Sequence, residues 1–410
     1  MQQAVLQHFP AVQATYTFTL RDRHLYFTRQ VFDRLARSTA EFGKIALSKE
    51  ERVWLEKACP YFKPSYLDYL EAYRFKPEQL HLRFESIPED VEKNNRHDSS
   101  ARGLITINVT GPWLETILWE VPLMACLSEV YFTTVDTDWD YAGQGDIAYR
   151  KAATLLKKGC VFSEFGTRRR RSAKTQEIVM EALLRAAHDH PGEGKVNGTS
   201  NVHFAMRFNA MPVGTIAHEW FMGIGALKGY DNANGTSLKL WEETYPDALL
   251  IALTDTFSTE AFFKDFLANR HFAEHWTGLR QDSGDPYVFA PRAKEVYEQL
   301  GLDYTKKTII FSDALDVEKA LQLKKQCDRL GFRCSFGIGT SLTNDFKKKS
   351  SGGTEKSKAL NMVIKLSSVE GKPAVKISDE ITKNTGDTAT VRYVKELFDI
   401  PITDKDETVS

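Results

Sequence analysis

Apolar positions in the first 110 residues recur with two different periods. Ala14–Leu20 alternates apolar and polar residues and predicts a strand, and Gln30–Glu41 repeats at helical spacing. Ser48–Ala58 predicts a second helix, opened by Ser48 with Glu51 three residues on, the spacing of a capping box. Leu80–Ile87 and Gly103–Val109 alternate again on either side of a polar turn, Asn94–Arg102. Strands punctuated by turn signals predict an antiparallel sheet. Gly111-Pro112 ends this pattern, and Trp113–Phe132 then predicts a long apolar helix that Pro122 kinks or divides. Asp146–Lys158 is amphipathic and leads into a different texture.

From residue 160 short β-branched, apolar runs alternate with helical patterns. The predicted strands are CVFSEF, VGTIAH, ALLIALTDTF, WTGLRQDSG, KTIIFSDAL and RCSFGIGT. The predicted helices between them are Thr175–Asp189, His218–Leu227, Thr259–Asn269, Ala290–Leu300 and Val317–Leu330. Repeated βα units imply parallel strands, hence an α/β fold with a (β/α) barrel. The rival doubly wound sheet lacks a GxGxxG at any helix start. Residues 346–358 are charged and rich in Gly and Ser, and predict a flexible connector. Asn361–Ser367 and Ala374–Ile377 predict a hairpin around Glu370-Gly371 whose strands return to the N-terminal sheet, and Thr390–Phe398 predicts a last helix. The expected organisation is an α+β domain from 1–125 and 360–400, a barrel from 126–345, and a polar tail from 401–410.

Composition alters this picture little. Of 410 residues 42% are hydrophobic and 27% charged, and 54 basic residues against 55 acidic ones leave a net charge of −1, so any anion site must be local and a nucleic-acid partner is not expected. Five cysteines without CxxC or CxxH spacing suit a reduced compartment, cytoplasm or nucleus, and exclude a disulfide frame or a zinc finger. No apolar run is long enough to span a bilayer, so no membrane role is expected.

Candidate chemistry gathers at the predicted strand ends, where a barrel places its active groups. They carry Glu164 and Thr167, His218 and Glu219, Asp255, Arg280 and Asp282, Asp313, and Gly337, Gly339 and Thr340. The run Arg168–Arg171 has three readings: a nucleic-acid patch, a solvated helix start, or a phosphate fork made by one of the four guanidinium groups. His218-Glu219 begins like a zinc-protease HExxH, but position 222 is Met. A general base, a phosphate carrier and a hydrogen-bonded core histidine all remain open for His218. Arg280, Asp282 and Asp285 surround a Ser-Gly turn that suits ribose, Mg²⁺ or a plain salt bridge. Gly337, Gly339 and Thr340 suit a phosphate cradle in late-barrel position. His271 and His275 share a helix face but lack a matching ligand set.

Taken in order, FSEFGTRRRRS, GTSN, GTIAHEW, LTDTF, RQDSGDP, SDAL, FGIGTSLTNDF and KISD closely resemble nicotinate phosphoribosyltransferases of the fungal and bacterial type, over about residues 11–398. The resemblance implies an irregular (β/α) barrel of the type II phosphoribosyltransferase kind beside an α+β sheet-containing domain, in a homodimer with shared active sites. It implies transfer of phosphoribose from phosphoribosyl pyrophosphate to nicotinate, coupled to ATP hydrolysis with Mg²⁺, in NAD salvage. His218 would be the phosphorylated residue and Glu219 would orient it. Phe165 would stack on the pyridine, and Thr215, Arg280 and Ser200 would meet the carboxylate or its surroundings. Arg168 would bind phosphate, Asp282 and Asp313 would address ribose or metal, and Gly337, Gly339 and Thr340 the 5′-phosphate. Family members open with a segment resembling Asp-x-Tyr-Lys-x-Thr-Met whose tyrosine stacks from the partner subunit; this sequence opens at Met1-Gln2-Gln3, where that segment closes, and Tyr16 is too far along to replace it. The alternatives are a nicotinamide-specific enzyme and an inactive barrel subunit.

Overall fold

The structure, a computed structural model, describes residues 1–22, 24–92, 98–380 and 384–403. Two six-stranded sheets dominate it. The first is antiparallel and contains β1 (Gln13–Leu20), β2 (Phe27–Thr28), β3 (Leu80–Ser86), β4 (Arg102–Pro112), β13 (Met362–Val369) and β14 (Lys372–Pro373). Its order is β14-β13-β1-β4-β2, with β3 also paired to β4. The C-terminal hairpin therefore joins the N-terminal sheet, through β13 antiparallel to β1. Its turn falls at Glu370-Gly371, both at positive φ, as a tight two-residue hairpin requires. The predicted second arm, Ala374–Ile377, contributes no strand beyond Pro373; instead the Ile377 N–H donates to the Thr256 carbonyl at 2.7 Å. The expected turn Asn94–Arg102 lies partly outside the described residues.

The second sheet is wholly parallel, in the order β6-β5-β10-β9-β8-β7. Its strands are β5 (Val161–Glu164), β6 (Lys195–Thr199), β7 (Ile251–Leu253), β8 (Gly278–Gln281), β9 (Thr308–Phe311) and β10 (Arg333–Ile338). Helices Ala173–Asp189, Pro286–Gln299 and Val317–Leu330 form the crossovers from β5 to β6, β8 to β9 and β9 to β10. Two predictions fail here. KVNGT is a strand that its polar composition concealed. VGTIAH is not one: beyond the pairing of Met211 and Val213 with Thr199, its backbone leaves the ladder, and the Ile216 carbonyl accepts from Arg280 at 3.0 Å instead. The barrel is irregular at this point.

The long apolar stretch divides into helices Trp113–Thr116 and Glu120–Thr134; Pro122 sits in the first turn of the second, where no amide donor is needed. The capping box forms as predicted, Ser48 Oγ accepting from Glu51 N–H at 3.1 Å and Glu51 accepting from Ser48 N–H at 2.8 Å. The expected connector 346–358 runs as a two-stranded ribbon, β11 (Phe346–Lys347) with β12 (Lys356–Ser357). Residues 404–410 of the expected tail lie outside the described residues. A single large core links both sheets, with Trp113, Trp220 and Trp241 fully buried in it. Gly223 of helix His218–Lys228 lies against Trp113, with no room for a Cβ. The GIGA sequence therefore serves helix packing. No described helix is long and apolar enough to cross a membrane.

Candidate active site

The C-terminal ends of the parallel strands open into one cavity of about 1670 Å³. One wall comes from the antiparallel sheet, so the site lies where the two sheets face each other. Of the predicted residues, Phe165, Arg168, His218, Arg280, Asp282, Asp313, Gly337, Gly339 and Thr340 line this cavity.

His218 opens the helix His218–Lys228, directly after the stretch that left the sheet. Its Nδ1 lies 3.0 Å from Thr256 Oγ1, and its Nε2 lies 3.0 Å from Lys376 Nζ and 3.1 Å from Asp282 Oδ2. An ammonium only donates and a carboxylate only accepts, so these two partners compete for the same ring nitrogen and the tautomer decides between them. Burial and the neighbouring Lys376 charge push the imidazole down to about 4, against the pull of Asp255 and Asp282. His218 is therefore neutral at pH 7, with a lone pair available as a nucleophile.

Around it runs a chain of fixed charges. Arg280 Nε donates to Ser312 Oγ at 2.8 Å, and Nη1 donates to Thr215 Oγ1 at 2.7 Å. Its Nη2 pairs with Asp282 at 3.0 Å. Burial pushes the Asp282 carboxyl up, but Arg280, His218 and Lys376 together hold it well below the usual carboxylate range. Thr215 thus reaches the site through Arg280. Asp255, at the end of β7, is fully buried; its Oδ2 accepts from Ser283 and from Lys376, the latter at 3.2 Å, while Oδ1 has no partner.

The arginine run separates by depth. Arg168, beside Glu120 at 2.6 Å, and Arg169, which holds the Met362 carbonyl, line the cavity. Arg170 donates to Gln176 at 2.9 Å, and Arg171 is fully buried, 3.7 Å over the Phe132 ring. Those two are structural. Phe165 crosses β10, where a Cβ on Gly337 would come within 2.6 Å of its ring. Only glycine lets the aromatic ring lie there.

Glu219, Ser200, Asp285, His271 and His275 are elsewhere. Glu219 faces the core, accepting from Tyr16 Oη and from Trp113 Nε1, the latter at 2.7 Å. Burial pushes it up to about 7. Successive residues at a helix start point about 100° apart, so His218 facing the cavity sends Glu219 the other way. Ser200 is exposed outside the cavity, its N–H donating to the Glu164 carbonyl at 2.9 Å. Asp285 caps helix Pro286–Gln299. His271 and His275 stack on each other at the surface, bonded to Glu242 and the Pro246 carbonyl.

Sequence reasoning missed the cations of the opposite wall: Arg21, Lys365 and Lys376. Burial, Lys376 and Arg21 push the Lys365 amine down to about 7. Among the described residues no three His, Cys, Asp or Glu side chains converge as a metal cage. The carboxylates Asp282 and Asp313 that do face the cavity are hard oxygen donors. Mg²⁺ commonly takes only one or two of these when phosphates and water complete its shell.

Comparison with known proteins gives this arrangement its family. The nicotinate phosphoribosyltransferase (NAPRTase) family matches residues 160–402, and the N-terminal domain of that family matches residues 1–128. The chain belongs to the nicotinate phosphoribosyltransferase family. A Schizosaccharomyces pombe protein named "Probable nicotinate phosphoribosyltransferase" is 42% identical over 98% of this chain and 95% of its own length. The nicotinate phosphoribosyltransferase of Saccharomyces cerevisiae is 40% identical, over 97% and 91%. A crystal structure of nicotinate phosphoribosyltransferase from Porphyromonas gingivalis superposes with a TM-score of 0.86 at 30% identity, over 97% of this chain and 96% of that one. The fold is accordingly the α/β type II phosphoribosyltransferase fold, an irregular (β/α) barrel beside a sheet-containing α+β domain.

Proposed function

We propose that the protein joins nicotinate to 5-phosphoribosyl 1-pyrophosphate, giving nicotinate mononucleotide and pyrophosphate for NAD salvage, and that it couples this to ATP hydrolysis through a phosphohistidine at His218. Family membership supports the transfer reaction. The observation that carries the coupling is a neutral His218 held between Lys376 and Asp282 inside a cation-lined cavity. An uncharged ring nitrogen attacks the γ-phosphorus of ATP, the bond to the bridging oxygen breaks, and ADP leaves with that oxygen. Lys376 stands where it stabilises charge on the transferred group, and Thr256 holds the other ring nitrogen in place.

In the transfer itself the pyridine nitrogen attacks C1 of the ribose and pyrophosphate departs with the bonding electrons. The centre passes through an oxocarbenium-like state, so the protein's task is charge stabilisation and positioning. Phe165 stacks on the pyridine. Arg280, tied to Thr215, faces its carboxylate. Arg168 binds phosphate, and Gly337, Gly339 and Thr340 receive the 5′-phosphate. Asp282 and Asp313 address ribose hydroxyls and would hold Mg²⁺, which when bound neutralises phosphate charge. Glu219 supports the helix that carries His218 from behind and touches nothing that reacts. The same reading makes the protein a homodimer with shared active sites, working in the cytoplasm or nucleus.

Parallel turnover assays with nicotinate and nicotinamide test the substrate. Nicotinate is expected to be the faster by a wide margin, since Arg280 offers a cation to a carboxylate. Faster use of the amide would overturn the assignment.

A further inference from the structure

Glu164 ends β5 one residue before Phe165 and is fully buried, yet it does not face the cavity. Both oxygens of its carboxylate accept hydrogen bonds. One carboxylate oxygen accepts from the Gly166 N–H. The other accepts from Gln176 Nε2 at 2.7 Å and from Thr199 Oγ1 at 2.6 Å. Gln176 lies on helix Ala173–Asp189 and Thr199 ends β6, so one carboxylate joins three separate elements.

These bonds surround the turn that carries Phe165. The Phe165 N–H donates to the Ile338 carbonyl at 2.8 Å, and the Gly166 carbonyl accepts from Thr343 Oγ1 at 3.1 Å. A Cβ on Gly166 would overlap Thr343, so the turn lies hard against the loop after β10. Asn344 Nδ2 donates to the Arg169 carbonyl at 2.7 Å, extending the same seam. Phe165 is thus held from the β10 side by backbone and from the β6 side by Glu164, while Gln176 Nε2 also donates to Thr167 Oγ1 at 2.9 Å just beyond the bend. Phe165 has no polar side chain and Gly166 has none at all, so the side chains that fix the bend are those of Glu164 and Thr343.

We propose that Glu164 is a positioning residue for ring recognition: its carboxylate fixes the Phe165–Gly166 bend, and so sets the affinity of the site for a planar heteroaromatic acid without touching it. This rests on the reading of Phe165 as the stacking residue. Glu164→Gln keeps the shape but turns one oxygen into a donor. Three donors then meet a single acceptor, and the Gly166 or the Thr199–Gln176 contact must break. The bend loosens, and the ring leaves its place over Gly337.

The test is a cycle of KM measurements for both substrates on the full-length enzyme: wild type, Glu164→Gln, Phe165→Ala and the double variant. Glu164→Gln is expected to raise KM for nicotinate about tenfold, the equivalent of one charge-assisted hydrogen bond, while KM for phosphoribosyl pyrophosphate changes little. In the Phe165→Ala background it is expected to add nothing, since the group it positions is gone. Additive effects, or equal rises in both KM values, would show a general structural role and overturn the proposal. If Glu164→Gln does not fold, Gln176→Met, which removes one donor, enters the same cycle with a smaller rise expected. Wild-type enzyme that does not use nicotinate would refute the functional reading itself. Normal wild-type turnover with an unchanged KM in Glu164→Gln refutes only the role of Glu164.

Discussion

Replacing Lys376 by Gln is expected to raise the His218 pKa towards the ordinary histidine value. The Lys376 ammonium lies 3.0 Å from His218 Nε2 and 3.2 Å from Asp255 Oδ2, and the lysine is only 4% exposed. Two like charges at that separation repel by about 5 kcal/mol at an effective dielectric of about 20. At about 1.4 kcal/mol per pH unit, the depression of the imidazole from 6.5 to about 4 amounts to about 3.5 kcal/mol, to which burial contributes most and the Lys376 charge adds, against the pull of Asp255 and Asp282. Asp255 and Asp282 remain in the variant and both favour the imidazolium, so only burial still opposes the rise. A ¹⁵N NMR titration of the His218 ring is expected to move its midpoint upward from about 4 towards 6.5. ATP-dependent labelling should then fall below that pH, because the protonated ring has no lone pair. The variant should also melt earlier, since Asp255 keeps its burial but loses a cation; glutamine retains one donor and limits the loss to below the roughly 3–5 kcal/mol of a broken buried pair. A midpoint still at about 4 would mean that burial alone sets the His218 pKa, and would refute the role given to Lys376.

Two buried groups give stability an opposed pH dependence. His218 is depressed in the fold, so its contribution is fully present above 6.5 and is lost as pH falls through about 4. Glu219 is raised, so its contribution is present below 4.5 and is lost as pH rises through about 7. Each is worth up to about 3 kcal/mol. Urea unfolding at pH 5 and 8 should show His218→Gln gaining at pH 5 relative to wild type and Glu219→Gln gaining at pH 8; the reverse order would contradict the burial of either group. Arg171→Leu should lower stability by about 3 kcal/mol in denaturant titration and leave both KM values unchanged, because its guanidinium packs over Phe132 and Phe346 away from the cavity.

The parallel strands were legible where short apolar runs place large side chains in the core, as with Ile309 and Phe311 in β9 and Phe336 and Ile338 in β10. β6 was not, because Lys195, Asn197 and Gly198 break the run and only Gly198 and Thr199 are buried. VGTIAH has strand composition, but Arg280 takes its carbonyl, and no local pattern records a partner 64 residues away. The site was legible where residues follow a strand end, as with Asp282 and Asp313. It failed for Lys365 for a reason of geometry: alternation in β13 separates two faces, and the polar face reads as solvent when it lines a cavity. Lys376 lies beyond the hairpin, in a stretch that forms no strand to place it. A lysine amid alternating residues in a strand that returns to the N-terminal sheet is the signal that was available for Lys365. Adjacency misled in the opposite way, since Glu219 follows His218 in the chain yet faces the core.

Incubation of the protein with ATP labelled at the γ-phosphate tests the central claim most directly. Acid-labile, base-stable label is expected on the wild type, discharged when nicotinate and phosphoribosyl pyrophosphate are added, and absent from His218→Ala. Label that persists on His218→Ala would contradict the assignment of His218 as the residue that couples ATP to the transfer.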